Sequence, residues 1–458
     1  MEKSPTVKDG RDSRYAGARF HRPIGSKSMR FLWGFRATGA PGLALGPLGG
    51  LLAPTAGGLL DVDHLKELLD LALRWLHLIA GIMWVGNSML FNWLDRNLVK
   101  PADAKPGFEG EIWMVHSGGF YQVEKKQLEP HQMPSVLHWF KWQSYITWMS
   151  GISLLALVYY ASEGFLIDPS VSKLTHAQGM MVGAGVVAGG FATYDLLWRS
   201  PLAKVPNILT AICFVLLAAV IALLTQLLSG RAAYIHLGAM MGTLMSGNVF
   251  FHIIPSQTEL VKATKEGRPQ EGSLGKHAKQ RSIHNNYMTF PVLFIMISNH
   301  FPSTYGSKYN YLILALIAVS GAAIRHFMNI RFWFRQWLVG FVGAIVIGAL
   351  GLFALVSIKP AGAIAPSNDG PVADFKTVQM VVQERCVQCH SSKPTDEVWK
   401  AAPLGVAFDS PEQIKQHAER IKARVVVGKT MPLGNKTKMT DEERELISRW
   451  IYQGAKTN

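Results

Sequence analysis

Cys386-Val387-Gln388-Cys389-His390 is the stretch on which the reading of this chain turns. Two thiols three residues apart can add across both vinyl groups of one haem, and a histidine directly after the second brings its imidazole beneath the iron. The pattern reads as covalent attachment of one haem c through Cys386 and Cys389, with His390 as an axial ligand. A redox dithiol or half of a zinc site would also use this cysteine spacing. The histidine at the fifth position and the absence of a second such pair argue against both. The remaining cysteine, Cys213, lies inside an apolar run, so no disulfide framework is present. Haem attachment of this kind requires export of the segment that carries it.

The residues after the pentapeptide supply the rest of a haem unit. A low-spin iron takes a sixth ligand, and thioether sulfur suits a c-type centre. Met431 stands in Gly428-Lys429-Thr430-Met431-Pro432-Leu433-Gly434-Asn435, a loop punctuated so that backbone can wrap a flat ring. Met439 competes for the role, but it directly precedes Thr440-Asp441-Glu442-Glu443. That string is a capping box opening a helix to Tyr452, with Leu446, Ile447 and Trp450 on one face. Helices around 374–385 and 411–426 complete a small all-α unit over 371–458. This segment resembles the monohaem class I cytochromes c.

The remainder of the 458 residues is of another kind. With 49% hydrophobic residues, the chain is too long for one core and too apolar to be wholly soluble. Apolar runs of spanning length, about 20 residues each, are expected near 71–94, 139–160, 176–197, 205–228, 232–254, 285–303, 310–330 and 336–357. The expected fold is therefore all-α: a polytopic membrane bundle of about eight helices followed by the cytochrome-like unit. Residues 1–60 read as a basic leader, 61–358 as the membrane domain, 359–370 as a linker and 371–458 as the haem domain. Residues 1–36 carry nine Lys or Arg against three acids and read as disordered. The stretch from Met29 to Ala56 fits either a weak secretory signal or translation from too early a start.

Orientation comes from the connecting charges. Lys262, Lys265, Arg268, Lys276, Lys279 and Arg281 fall in a 255–284 loop, and Arg96, Lys100, Lys105, Lys125 and Lys126 in the 95–138 segment. With Arg199, Lys204, Arg331 and Arg335 they share one side, the cytoplasm. The opposite connections, Glu163 to Lys173 and Ser303 to Lys308, are poorer in positive charge. An even number of spans then sets the haem domain in the periplasm of a bacterial inner membrane, multi-pass in membrane lipid. The net charge of +15 reflects this topology and the leader. No interleaved aromatic pattern points to nucleic acid.

Ionisable groups inside spans are functional candidates. They sort into an outer layer of His77, His176, His236 and His300 and an inner layer of Asp95, His138, Lys141, Asp195, His252, His284, Asn285, Asn286, Arg325, His326 and Asn329. Four outer histidines from four helices suggest a metal or haem site, and bonded or interfacial histidines are the competing explanation. Asn87 and Asn248 each follow a glycine downstream of a histidine, a weak echo of an internal duplication.

Four strings narrow the family: Arg74-Trp75-Leu76-His77, Leu137-His138-Trp139-Phe140-Lys141-Trp142, His236-Leu237-Gly238-Ala239-Met240-Met241-Gly242-Thr243 and His284-Asn285-Asn286-Tyr287-Met288-Thr289-Phe290-Pro291. With Ser298-Asn299-His300 and the C-terminal pentapeptide, the chain from about Asp70 to Gly454 resembles bacterial membrane-bound urate hydroxylases (urate oxidases) with a fused cytochrome c. The resemblance implies oxidation of urate to 5-hydroxyisourate, with electrons passing to haem c instead of oxygen and on to a respiratory acceptor, a cytochrome or terminal oxidase.

Such chemistry needs a cation or amides for the anion, aromatic walls and a base. On these grounds His138, Lys141, His284, Asn285, Arg325 and His326 are the catalytic candidates, with Asn286, Trp139, Trp142 and Tyr287 around them. Urate in that inner layer would lie roughly 30 Å from an outer haem c. Two arrangements answer this: a bridging haem b on His77 and His236 or His300, or urate bound among the outer histidines. Two other functions remain compatible with the sequence, a quinol-to-cytochrome c electron-transfer module and a transporter fused to a redox sensor.

Overall fold

The computed structural model describes residues 62–104, 106–162, 164–358, 371–396, 399 and 402–457, without the side chains at 62–64 and 404. The leader and the linker expected at 1–60 and 359–370 lie outside the described residues.

The chain is mainly helical. In order come α1 (Val62–Asn97), a hairpin of β1 (Phe108–His116) and β2 (Gly119–Lys126), and α2 (Trp142–Leu155), which runs on through a π turn to Tyr160. Next are α3 (His176–Arg199), α4 (Pro206–Leu227), α5 (Gly230–Asn248), a π turn at Val249–Ile253, α6 (Ile254–Lys265) and α7 (Gly272–Ile297). A single turn, α8 (Pro302–Tyr305), precedes α9 (Asn310–Ile330) and α10 (Trp337–Ser357).

Among the described residues six helices are long and apolar enough to cross a membrane: α1 from Leu65, α3, α4, the continuous α5–α6 rod, α9 and α10. Their residues explain why. The α4 run Ile208 to Leu227 carries no charge, and α10 carries none from Trp337 to Ser357. The two other expected spans are also helical, α2 with its π turn and α7, but the first half of α7 holds Lys276, His277, Lys279 and Arg281.

The rod α5–α6 is the axis of the bundle. Within its most apolar window 61% of residues are buried, against 6% in α1 and none in α10, so those two helices are peripheral. Small side chains let neighbours approach the axis closely, the usual solution where lipid gives helices little hydrophobic drive to associate. A Cβ added at Gly183 of α3 would stand 2.5 Å from His236 Nε2 on α5. Around this axis Leu155, Tyr159, Leu224, Leu237, Met241, Ile295 and Leu314 form one core.

Two expectations are corrected. The fold is not purely helical, because 108–126 pairs as an antiparallel hairpin in which Val115 faces Phe120 and His116 faces Gly119. Its turn needs Ser117 and Gly118 at φ of 51° and 77°, which a Ser-Gly-Gly sequence permits. Likewise 255–284 is not a loop. It is α6, a short turn and the first half of α7, whose Lys262, Lys265, Lys276 and Lys279 are exposed while Ala263, Ala278 and Arg281 are buried. Charges at helical spacing resemble a polar connection, yet here they line only one face.

The C-terminal part contains α11 (Phe375–Arg385), α12 (Pro411–Gln416), α13 (Ala418–Ile421) with a π turn to Val427, and α14 (Asp441–Tyr452). Phe375, Val378, Ile414, Ile421, Ile447 and Trp450 close a second core. The helix expected at 411–426 is broken at His417, whose φ and ψ of −99° and 10° leave the helical range. The capping box at Thr440 is formed: its hydroxyl accepts from the Glu443 amide at 3.2 Å, and Glu443 accepts from the Thr440 amide at 2.8 Å.

This part packs on the bundle end formed by the 161–175 and 301–309 connections. A Cβ at Gly306 would stand 2.9 Å from Gly428 O and 3.0 Å from Thr430 Cγ2, while one at Gly434 would overlap Gly164 O. Phe165 and Trp399 meet edge to face with centroids 6.3 Å apart. The two strongly basic segments meet at the other end, where Gly267 lies against Pro130.

Removing the α14 cap tests this architecture: Thr440→Ala should lower the stability of the C-terminal part by about 1 kcal/mol, seen as an earlier chemical unfolding midpoint, whereas Thr440→Ser should leave it nearly unchanged.

Candidate functional site

Three polar centres emerge, one in the C-terminal part and two in the bundle. In the first, Cys386 and Val387 border the second core together with Met431, so the pentapeptide and the candidate sixth ligand flank the same interior. His390 Nδ1 lies 2.9 Å from Val406 O. A carbonyl only accepts, so Nδ1 carries the proton and Nε2 keeps the lone pair an iron would take. Burial lowers the His390 pKa, which also favours the neutral ring. Burial pushes Cys386 up to about 12 and Cys389 up to about 11, the opposite of the lowered pKa of a reactive dithiol.

The two methionines separate cleanly. Met439 is 3% exposed and built into the core, whereas Met431 sits at the core edge. The Met431 carbonyl is held at 2.7 Å by Arg444, which also donates to Val425 O at 2.6 Å and so pins the loop. Lys429, Gly434 and Asn435 take positive φ around it. These residues fit a haem c held by Cys386, Cys389, His390 and Met431.

The outer centre of the bundle lies at the end on which that part docks. His236, fully buried on α5, has Nδ1 at 2.8 Å from Ala232 O and Nε2 at 3.1 Å from Tyr160 OH. The same donor logic makes Nε2 the acceptor of its ring. Tyr160 also joins His176, whose Nε2 is 3.0 Å from its carbonyl. Next to them the Tyr159 hydroxyl is buried without a hydrogen-bond partner. Arg231 stands over the Tyr159 and Phe165 rings at 5.9 and 5.2 Å and donates to Asn299 at 3.1 Å. No carboxylate pairs with Arg231 among the described residues. The other two outer histidines are apart: His77 bonds Thr147 O and Ser150 on α2, and His300 is exposed. With both His236 nitrogens held by protein, this arrangement does not fit a haem b on His236. Among the described residues no group of three or more His, Cys, Asp or Glu could hold a metal ion.

The inner centre is built on Asp195 of α3. Its carboxylate accepts from Arg199 at 2.8 Å, from His252 Nε2 at 2.5 Å and from the fully buried Arg281 at 3.1 Å. Because Asp195 can only accept, His252 carries its proton on Nε2, and its Nδ1 accepts from His277 Nε2 at 3.0 Å. This carboxylate–imidazole–imidazole line ends at an open cavity of about 680 Å³ lined by Arg199, His252, Glu259, Glu271 and His277. Arg281 also reaches Asn248, which donates to Asn285 at 2.8 Å. Tyr194 joins Asn248 to His284, its hydroxyl 2.7 Å from His284 Nδ1, and Trp198 covers that ring at 4.2 Å.

Of the six residues expected for catalysis, His284 and Asn285 belong to this network. Arg325 and His326 form a separate group on α9, where Arg325 donates to Asn286 at 2.7 Å and His326 meets Tyr287 OH at 2.9 Å. His138 is exposed before α2, and Lys141 lies at the α2 start with its ammonium 5.5 Å from the Trp142 ring. The residues that sequence reasoning passes over are Arg281, His277, Tyr194, Tyr159 and Arg231. Spacing exposes two of them in hindsight, since Arg281 lies one turn from His277 and from Asn285.

Asp195 and Arg281 generate a test. Arg281→Met leaves a buried carboxylate short of a partner and should cost roughly 3–5 kcal/mol, while Asp195→Asn with Arg281→Met should recover much of it, read from unfolding in detergent.

Residues 63–355 match the family described as urate oxidase N-terminal. No curated protein and no solved structure matches the chain.

Proposed function

The chain belongs to the urate oxidase N-terminal family, and on that premise we propose that it is a membrane urate hydroxylase that delivers electrons to its own haem c. The observation that supports the second half is the CxxCH part, whose residues suit haem and which packs on the 161–175 and 301–309 connections next to the outer centre. Urate and water give 5-hydroxyisourate, two electrons and two protons; a C5–O bond forms, and the protons leave from water and from the purine. A haem held by Cys386 and Cys389 would supply a one-electron acceptor in contact with respiratory carriers, so that oxygen would not be consumed and no peroxide would appear.

Distance favours the outer of the two bundle centres. His236 and His252 are sixteen residues apart on one rod, roughly 24 Å at 1.5 Å per residue. Electron tunnelling falls exponentially with distance, so oxidation at the inner centre would need a bridge that the His236 geometry does not offer. The outer centre is the nearer of the two, since Phe165 beside it touches Trp399 of the C-terminal part. There Arg231 supplies a cation with no carboxylate partner among the described residues for the urate anion, Tyr159 supplies a hydroxyl beside it and a wall, and His236 Nε2 with Tyr160 forms the base. The rings of Phe165 and Trp399 link this centre to the haem-bearing part. The inner residues His284, Asn285, Arg325 and His326 then have no contact with urate.

All eight long helices span in this proposal. The 161–175 and 301–309 connections, poor in positive charge, share the outer side with the part that packs on them, and the basic hairpin segment and α6–α7 turn lie in the cytoplasm.

Isolated membranes should lose urate absorbance without forming peroxide, and Cys389→Ala should stop this turnover. Arg231→Gln should raise KM for urate at least tenfold with haem content unchanged, and Arg231→Lys should restore part of it. Peroxide formed in step with urate loss, or an unchanged KM in Arg231→Gln, would count against the proposal.

A further inference from the structure

At the inner end of the bundle a second cavity, about 320 Å³, opens between α1 and α9. Met89, Leu90, Asn92 and Trp93 line it from α1, and Arg325, Met328, Asn329 and Arg331 from the end of α9 and the turn beyond it. Arg325 is only 4% exposed. Its Nε donates to Asn286 Oδ1, an acceptor shared with Asn329, and its two terminal nitrogens have no acceptor among the described residues. No carboxylate lines the cavity or pairs with Arg325 or Arg331 among the described residues. Arg96 adds a third guanidinium close enough to act on Arg325, seated 4.6 Å over the Trp333 ring.

Buried cations in a spanning helix persist where something compensates them. Here three guanidiniums without acids call for an oxyanion. Depth and surroundings say which kind. Arg325 lies five residues before the end of α9 and Trp93 four before the end of α1, about one to one and a half turns below the helix ends, where headgroups meet hydrocarbon. Trp93 and Trp333 are exposed there at 36% and 64%, as aromatic anchors are at that level. Met89, Leu90 and Met328 continue the slot toward the apolar flank, and α1 is a peripheral helix. A soluble anion has no use for an apolar tail slot; a phospholipid has.

We propose that this slot binds the phosphate of an anionic phospholipid from the inner leaflet, with Arg325, Arg331 and Asn329 on the headgroup and the methionine-lined flank against an acyl chain. The site is independent of the urate proposal.

The test uses the full-length protein purified in detergent, with phosphatidylglycerol and phosphatidylcholine as probes. Wild type should carry about one tightly held anionic phospholipid per chain, and its unfolding temperature should rise with phosphatidylglycerol and not with phosphatidylcholine. Arg325→Gln should lose both the lipid and the rise. Should that variant fail to fold, Arg331→Gln at the rim should weaken the response to phosphatidylglycerol at least fivefold. Equal responses to both lipids, or a response unchanged in Arg331→Gln, would overturn the site. So would protection of the slot by urate or by inorganic phosphate in place of lipid, with Arg325 required for it.

Discussion

Asp195 is a carboxylate near the end of a membrane helix, and the rest of the inner bundle is arranged to make that tolerable. Charge in a low-dielectric setting must be paired and hydrogen-bonded. Asp195 is met by Arg199 from its own helix, His252 from the π turn after α5 and Arg281 from α7. The helices α3 and α7 are thereby fixed in register on the α5–α6 rod. Asn248 and Asn285 extend the clamp, and because Asn286 is the next residue on α7, the same helix also holds Arg325 of α9.

With one end clamped, the other end is free to be specialised. There the groups are histidine, tyrosine and an arginine that no carboxylate meets among the described residues, with a buried Tyr159 hydroxyl beside Arg231 that makes no well-formed hydrogen bond there. An orphan of this kind costs free energy unless a ligand completes it. In the proposed reaction, oxidation at this end would need only a short transfer to the docked C-terminal part. The inner clamp, sixteen residues along the rod from His236, holds the helices together, and its Asp195–His252–His277 line ends at the open cavity.

Much of this is legible in the sequence for physical reasons. CxxCH, the Thr440 capping box and uncharged runs such as α4 depend on local chemistry, and the corresponding helices form where spacing puts them. The hairpin escapes when 95–138 is weighed only for charge, although Ser117-Gly118-Gly119 between alternating residues marks a turn. Arg281 is easily misjudged because a positively charged residue beside lysines looks like a loop charge, and only its one-turn offset from His277 and Asn285 betrays an inward face. The outer centre is half visible: His176 and His236 stand out in the sequence, but the partner that joins them, Tyr160, lies at the end of α2, and such long-range contacts leave no mark in spacing. His138 and Lys141 are attractive for their residue types, and their positions at the exposed start of α2 cannot be read from those types.

The most direct test of the account is an anaerobic titration of the purified, fully oxidised protein with urate, following the haem spectrum and the urate absorbance together. Two haems should be reduced for each urate consumed, in the absence of oxygen and of any added acceptor. Urate consumption that requires oxygen, or haem that stays oxidised while urate disappears, would contradict the claim that the bundle passes its electrons to the part docked upon it.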